Sequence, residues 1–304
     1  MRRAIVIFAV LVIVTGAGFW ALTSPAWTRT GAFAMPAGEA DLANGELLFD
    51  AGGCASCHAV PGEGDRLNLA GGLALESPYG TFHVPNISPH ADGIGGWSVE
   101  DFIRAMREGV SPEGLHYYPS FPYTSYQRMS AGDLRDLFAY ISSLQPMAGA
   151  GRRHELAFPY NLRRGIGLWK LVYLDGEEFV PDPTRSESWN RGAYLVEGPG
   201  HCAECHSARN FAGGIIPEYR HAGGPDPEGG RGFVPNITPH ETGIGNWVAA
   251  DVAELLMSGF TPDFDSVGGS MAAVVRNTER LPQADIEAMA EYVMSLPPRE
   301  RSPR

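Results

Sequence analysis

The sequence predicts an all-α protein: two tandem helical domains preceded by an N-terminal transmembrane helix. Three observations predict it. An uncharged, mainly apolar run of 19 residues, Ala4 to Leu22, follows Arg2 and Arg3. A long pattern in the first half of the chain returns in the second half. Each copy opens and closes on apolar residues at helical rather than alternating spacing.

At ~1.5 Å per residue the leading run reaches across a ~30 Å hydrocarbon core. The positive pair before it predicts an inside N-terminus and places everything after Leu22 outside. A cleaved signal peptide is the competing reading, with Thr23, Ser24 and Ala26 marking a processing site. The run is long for a signal and no A-x-A box follows it, so residues 1–30 read as a retained anchor. Both readings export the rest of the chain. With 23 basic against 35 acidic residues the net charge is −12, which argues against a nucleic-acid partner, because phosphate neutralisation needs basic surface. A hydrophobic fraction of 44% lets each domain build a core.

The repeat is long. Val84-Pro85-Asn86-Ile87-Ser88-Pro89-His90 returns as Val234-Pro235-Asn236-Ile237-Thr238-Pro239-His240, shifted by 150, and Gly93-Ile94-Gly95 and Trp97 return at the same shift. Tyr140, Ser143 and Leu144 return as Tyr292, Ser295 and Leu296, shifted by 152. A duplication predicts domains over 36–147 and 186–298. In each, an opening helix carries an apolar stripe around a glycine, Gly45 or Gly192. A closing helix starts at Ser130, a candidate N-cap, or follows Pro282. The glycines predict a close crossing of first and last helices, with Tyr140 or Tyr292 at the contact. The connector, 148–185, opens on Gly-Ala-Gly and continues with apolar residues including Leu168, Trp169, Leu171 and Val172. It is expected to pack back onto the domains, the alternative being to dock a partner subunit or the bilayer surface.

All four cysteines fall in Cys54-Ala55-Ser56-Cys57-His58 and Cys202-Ala203-Glu204-Cys205-His206. Two thiols three residues apart followed by His is the pattern of covalent haem attachment: two thioether bonds to porphyrin vinyl groups and an imidazole under the iron. Structural disulfides, a zinc site and a thioredoxin-like redox pair compete. The pairs lie 148 residues apart, and His follows both, so two covalently attached haem c groups are the expectation, with His58 and His206 as proximal ligands.

A Met on the other side of the iron raises the reduction potential and a second His lowers it. Met271, in a Gly-Gly-Ser-Met loop eleven residues before Pro282, is the expected distal ligand of the second haem. In the first copy the comparable position is held by Phe121, so Met129 is taken as the candidate. Met106 in a helical stretch, His116 as a bis-His alternative, and an open site are its rivals. The proximal imidazole needs an acceptor for its other N–H, often a backbone carbonyl, and Pro85 and Pro235 lie in segments resembling the Gly-Pro-Asn-Leu loop that supplies it in class I cytochromes. Asn86, Trp97, Asn236 and Trp247 are candidate propionate partners, and His90 and His240 read as solvated loop residues.

The arrangement resembles the class I cytochrome c domain, twice. The two C-x-x-C-H motifs, the Asn-Ile-Ser/Thr-Pro segments, Gly-Ile-Gly-x-Trp, Tyr-Pro-Ser-Phe-Pro-Tyr and Gly-Gly-Ser-Met-Ala-Ala-Val-Val together resemble something more specific. They are similar to the cytochrome c subunit of membrane-bound bacterial dehydrogenases for alcohols, aldehydes and sugar acids. That resemblance implies electrons arriving from a dehydrogenase subunit and leaving to quinone, a cytochrome or a terminal oxidase, at the periplasmic face of the inner membrane. Such subunits usually carry three haems; this chain has two motifs. The expected function is therefore an electron-transfer protein without catalytic residues of its own. The alternative is a di-haem oxidoreductase, peroxidase-like or acting on a sulfur compound, with an open or unusual distal site at the first haem.

Overall fold

The structure, a computed structural model, describes residues 1–28, 35–149, 151–227 and 232–303. Residues 29–30 of the leading segment and Ala150 of the Gly-Ala-Gly stretch lie outside them. Helix α1, Arg2–Leu22, has no buried residue and is, among the described residues, the one helix long and apolar enough to cross a membrane. The first set of elements is α2 (Leu42–Ala51), α3 (Cys54–His58), α4 (Val99–Glu108), α5 (Tyr123–Tyr126) and α6 (Ala131–Ser143). The second is α8 (Glu187–Glu197), α9 (Cys202–Cys205), α10 (Ala249–Ser258), α11 (Gly269–Thr278) and α12 (Gln283–Met294). Between them lies α7 (Ile166–Tyr173). Short strands β1 (Ala74–Leu75), β2 (Gly80–His83) and β3 (Glu155–Leu156) form an antiparallel sheet that ties the connector to the first set. Strands β4 (Gly224–Pro225) and β5 (Phe233–Val234) pair in the second.

Local chemistry starts the helices where the sequence places them. Asp41 accepts from the Ala43 and Asn44 amides at 2.9 and 3.1 Å, and Ser130 accepts from the Asp133 amide at 3.1 Å. Ser98 and Asp101 form a reciprocal capping box at the head of α4. Pro282 stands at the N-cap of α12, one place earlier than the first-turn position that proline favours.

Each set packs around its own core. Leu48, Phe49, Phe102, Ile103, Leu134 and Ile141 fill the first; Leu195, Val196, Leu256, Ile286, Met289 and Val293 fill the second. In both, the opening and closing helices cross without a side chain between them. A Cβ on Gly45 would collide with the Asp136 carbonyl oxygen and Tyr140, and one on Gly192 would collide with the Ala288 carbonyl. Tyr140 packs at the first contact as expected, and Tyr292 packs edge-on against Trp189 with ring centroids 5.1 Å apart.

The connector packs back with one face only. Gly167 and Lys170 are its buried residues on α7. The Lys170 ammonium, 1% exposed, donates to the Glu108 and Gly109 carbonyls at 2.6 Å each and to His116 Nδ1 at 3.2 Å. It also lies over the Tyr123 ring, 4.6 Å from its centroid. His116 Nε2 then donates to the carbonyl of Thr23, fully buried just past α1, at 3.0 Å. Leu168, Leu171 and Val172, on the opposite face of α7, stay exposed.

Gly192→Ala and Gly45→Ala are expected to force the helix pairs apart, each at roughly 1–3 kcal/mol of stability, the usual cost of overpacking. Denaturant unfolding of the holoprotein measures it; wild-type stability in both variants would contradict the close crossings.

Candidate functional site

Each C-x-x-C places two thiols on successive turns of one helix face, and the next residue carries the imidazole. His58 Nδ1 donates to the Pro85 carbonyl at 2.9 Å and His206 Nδ1 to the Pro235 carbonyl at 2.8 Å. With Nδ1 carrying the proton, Nε2 keeps its lone pair for a metal. Burial holds both imidazoles below their ordinary range, hence neutral, with the proline carbonyls pulling the other way. The loops behind them are matched. Gly71 and Gly223, each at φ 77°, donate to the His58 and His206 carbonyls at 2.9 Å. A Cβ on Gly71 would stand 2.6 Å from the Pro85 carbonyl, and one on Gly223 2.8 Å from the Pro235 carbonyl carbon.

The four thiols are half-buried and none is joined in a disulfide. Among the described residues no three His, Cys, Asp or Glu gather as a metal site. Burial pushes Cys54 and Cys202 up to about 12, so each remains a neutral thiol. Cys54 packs against the first core and Cys202 against the second. Two thiols one helical turn apart, an imidazole with Nε2 available and an apolar wall beside them fit a covalently attached haem at each motif.

The distal side separates the two sites. The Tyr117 amide donates to the Gly109 carbonyl at 2.7 Å, and the Val267 amide to the Gly259 carbonyl at 2.9 Å. Bridges Val110–His116 and Phe260–Ser266 repeat the same pattern. This pins the 150-residue register through the loop and makes Phe121 the counterpart of Met271. Phe121 packs on the first core beside Tyr117, Tyr123 and Tyr126; Met271 packs on the second core. Met271 lies in the first turn of α11 rather than in a loop. Beyond it the second copy is two residues longer, and the closing helices match at a shift of 152.

That shift gives Met129 the place of Leu281. Both lie in a core cluster immediately before the N-cap of the closing helix, and their amides close equivalent turns onto Tyr126 and Thr278. Met129, the candidate for the first distal side, is almost wholly buried in the first core. His116, the bis-His rival, has both ring nitrogens taken by Thr23 and Lys170, and burial pulls it down to about 4. Met106 packs in the first core, as expected.

The asparagines have a different role from the one expected. Asn86 Nδ2 donates to the Met147 and Gly149 carbonyls at 2.7 and 3.1 Å, while Oδ1 accepts from the Ser88 amide at 2.7 Å. Asn236 repeats this with Arg299 and Thr238. They staple the segment after each closing helix to the proline loop, so their amides are not offered to a propionate. Trp97 and Trp247 pack half-buried on the two cores. His90 and His240, half-buried, accept from the amides of Asp92 and Thr242 and so cap their own turns.

Several charged and polar partners at the motifs escaped the sequence reading. Asp50 pairs with Arg66 near Cys54, and Glu197 pairs with Arg220 near Cys202. Burial raises Asp50 despite Arg66, whereas for Glu197 burial is outweighed and Arg220 and His221 hold it low. These pairs recur at unequal spacing, 16 and 23 residues, so a constant shift does not reveal them. The motifs also face each other's units. Asn277 Nδ2 on α11 donates to Ser56 Oγ at 2.7 Å, while Thr124 and Ser125 on α5 donate to Glu204 Oε1 at 2.7 and 3.0 Å. Arg209 pairs with the other Glu204 oxygen at 2.6 Å, and the Tyr126 and His201 rings meet at 5.6 Å.

The cytochrome c family model matches residues 42–145. A diheme cytochrome c-type protein of Cereibacter sphaeroides is 50% identical over 302 residues, 98% of this chain and 99% of that one. The fructose dehydrogenase cytochrome subunit of Gluconobacter japonicus is 35% identical over 86% of this chain. The alcohol dehydrogenase (quinone) cytochrome c subunit of Gluconobacter oxydans is 34% identical over 88% of it. The chain spans only 54% and 57% of those two subunits.

Glu204→Ala strips a charged partner from Arg209, Thr124 and Ser125 and is expected to cost about 1.5–3 kcal/mol, against about 0.5–1.5 kcal/mol for Ser56→Ala. Denaturant titration of both holoprotein variants ranks them; a larger loss for Ser56→Ala would contradict the assigned contacts.

Proposed function

The chain belongs to the cytochrome c family, and from that premise we propose that it is a two-haem electron-transfer protein held at the outer face of the bacterial inner membrane by α1. The observation that carries the proposal is the twice-built turn of two thiols and an imidazole whose Nδ1 is held by a proline carbonyl. A haem bound at such a turn supplies one-electron exchange between ferrous and ferric iron. Cys54 and Cys57, and Cys202 and Cys205, would hold the ring of each haem through thioether bonds. His58 and His206 would offer Nε2 to its iron, with the Pro85 and Pro235 carbonyls holding Nδ1 and so fixing the ring.

The proposed donor is a dehydrogenase subunit and the proposed acceptor quinone, a cytochrome or a terminal oxidase. The names of the relatives support this, since they are cytochrome subunits of fructose, alcohol and gluconate dehydrogenases. Retention of α1 is supported by the full burial of Thr23, which a cut at residues 23–26 would disrupt. The proposed cytochrome c domains are 36–147 and 186–298.

Met271 is the proposed distal ligand of the second haem. Phe121 stands in its place at the first, so one Met–iron bond per chain is proposed rather than two. Holoprotein matured in a haem-competent host should carry the mass of two haems, and the bare polypeptide mass would overturn the function. Its ferric spectrum should show the Met–iron charge-transfer band at the red edge of the visible for one haem of the two. Met271→Leu should abolish that band and Met129→Leu should leave it unchanged; loss of intensity in Met129→Leu would restore Met129 as a ligand.

A further inference from the structure

The connector does more than join the two halves. Arg164, just ahead of α7, reaches back along the anchor: its guanidinium stacks 3.5 Å above the Trp20 ring, donates to the Trp20 carbonyl at 2.5 Å and to Thr23 Oγ1 at 3.1 Å. Gly167 lies against the Thr23 backbone so closely that a Cβ there would stand 2.7 Å from the Thr23 Cα. The start of the connector helix is therefore level with the end of α1 at Thr23, and the Arg164 side chain reaches back from there to the last turn at Trp20.

A helix of 21 residues spans about 31 Å, so that last turn falls at the outer boundary of the hydrocarbon core, where a Trp ring is at home. At this level the connector exposes apolar side chains. Leu168, Leu171 and Val172 are 40%, 56% and 72% exposed at i, i+3, i+4 on α7, and Leu162 and Phe158 just before it are 54% and 77% exposed. Gly167 and Lys170 on the other face are buried against the protein.

We propose that residues 158–172 rest in the outer interface of the bilayer, with the Leu168–Leu171–Val172 face of α7 among the lipid acyl-chain ends. The occupant is the lipid surface because the anchor itself delivers this face to the right depth. An amphipathic segment with basic residues beside its apolar face, here Arg163 and Arg164, is the composition that suits that depth. The consequence is orientation. One membrane helix alone leaves the soluble part free to swivel; a second contact through α7, locked to the first core by Lys170, sets its height and tilt.

This inference rests on α1 being a retained anchor, and the test separates the two. The full-length holoprotein is reconstituted in phosphatidylcholine–phosphatidylglycerol vesicles containing a lipid with a diazirine near the ester end of its acyl chain. After irradiation, adducts are mapped by mass spectrometry. Adducts in both 2–22 and 158–172 are expected. In Leu171→Glu/Val172→Glu, changed at exposed positions, the 158–172 adducts should fall at least threefold while those in α1 hold steady. Adducts confined to α1 overturn the interfacial seat and point to a protein partner for this face. Adducts in neither segment overturn the anchor, and with it this inference.

Discussion

The bond from each proximal imidazole to a proline carbonyl is the constraint from which the two sites are built. A histidine ring that can turn presents either nitrogen, or neither, to a metal; once Nδ1–H is held, Nε2 has one direction. The carbonyl that holds it is itself held. Asn86 fixes the Pro85 loop to the segment after α6, and Asn236 fixes the Pro235 loop to the segment after α12. Gly71 and Gly223 press the loop following each motif against the same prolines. The path from closing helix to asparagine, to proline, to imidazole is the same in both copies. This explains why Val-Pro-Asn-Ile recurs almost unchanged while the loops around it differ.

What differs lies on the faces the two units turn toward each other. The third residue of the C-x-x-C motif is Ser56 in one copy and Glu204 in the other, and each is held by the distal helix of the opposite unit. A neutral hydroxyl at one motif and an arginine-paired carboxylate at the other give the two sites unlike surroundings. So do Phe121 against Met271 and a raised Asp50 against a lowered Glu197. Two copies of one domain need such differences if electrons are to prefer a direction, because a potential step requires unequal environments. The Tyr126–His201 ring contact places aromatic side chains of both units at the seam between the motifs.

Much of this was legible in the residues. The motifs, the repeat, the glycines at the helix crossings and the proline carbonyls are local features, and local sequence encodes them. Ser130 as a cap and Tyr140 at a crossing follow from one helix turn. The missed features are those in which partners come from distant parts of the chain. Asp50–Arg66 and Glu197–Arg220 link an opening helix to a loop of variable length, so no fixed spacing announces them. The asparagines read as propionate partners because their acceptors lie about 60 residues away. The register of the distal loop is a further case. Only the paired backbone bonds of Tyr117–Gly109 and Val267–Gly259 show that the loop holds its register up to Phe121 and changes it afterwards.

The first unit also joins two demands that the sequence keeps apart. The Gly109 carbonyl, at the end of α4, accepts from the Tyr117 amide that closes the distal loop and from Lys170 of the connector. Lys170 in turn orients His116, and His116 holds the end of α1 through Thr23. Tyr123, whose ring lies under the Lys170 ammonium, is two residues from Phe121. The attachment of α1 and the shape of the first distal loop therefore share one buried knot, in which a saturated ammonium with three acceptors is the central group. A burial of that kind is costly unless every donor is satisfied. Its presence here follows from geometry: it is the point at which α1, the connector and the first site are fixed relative to one another.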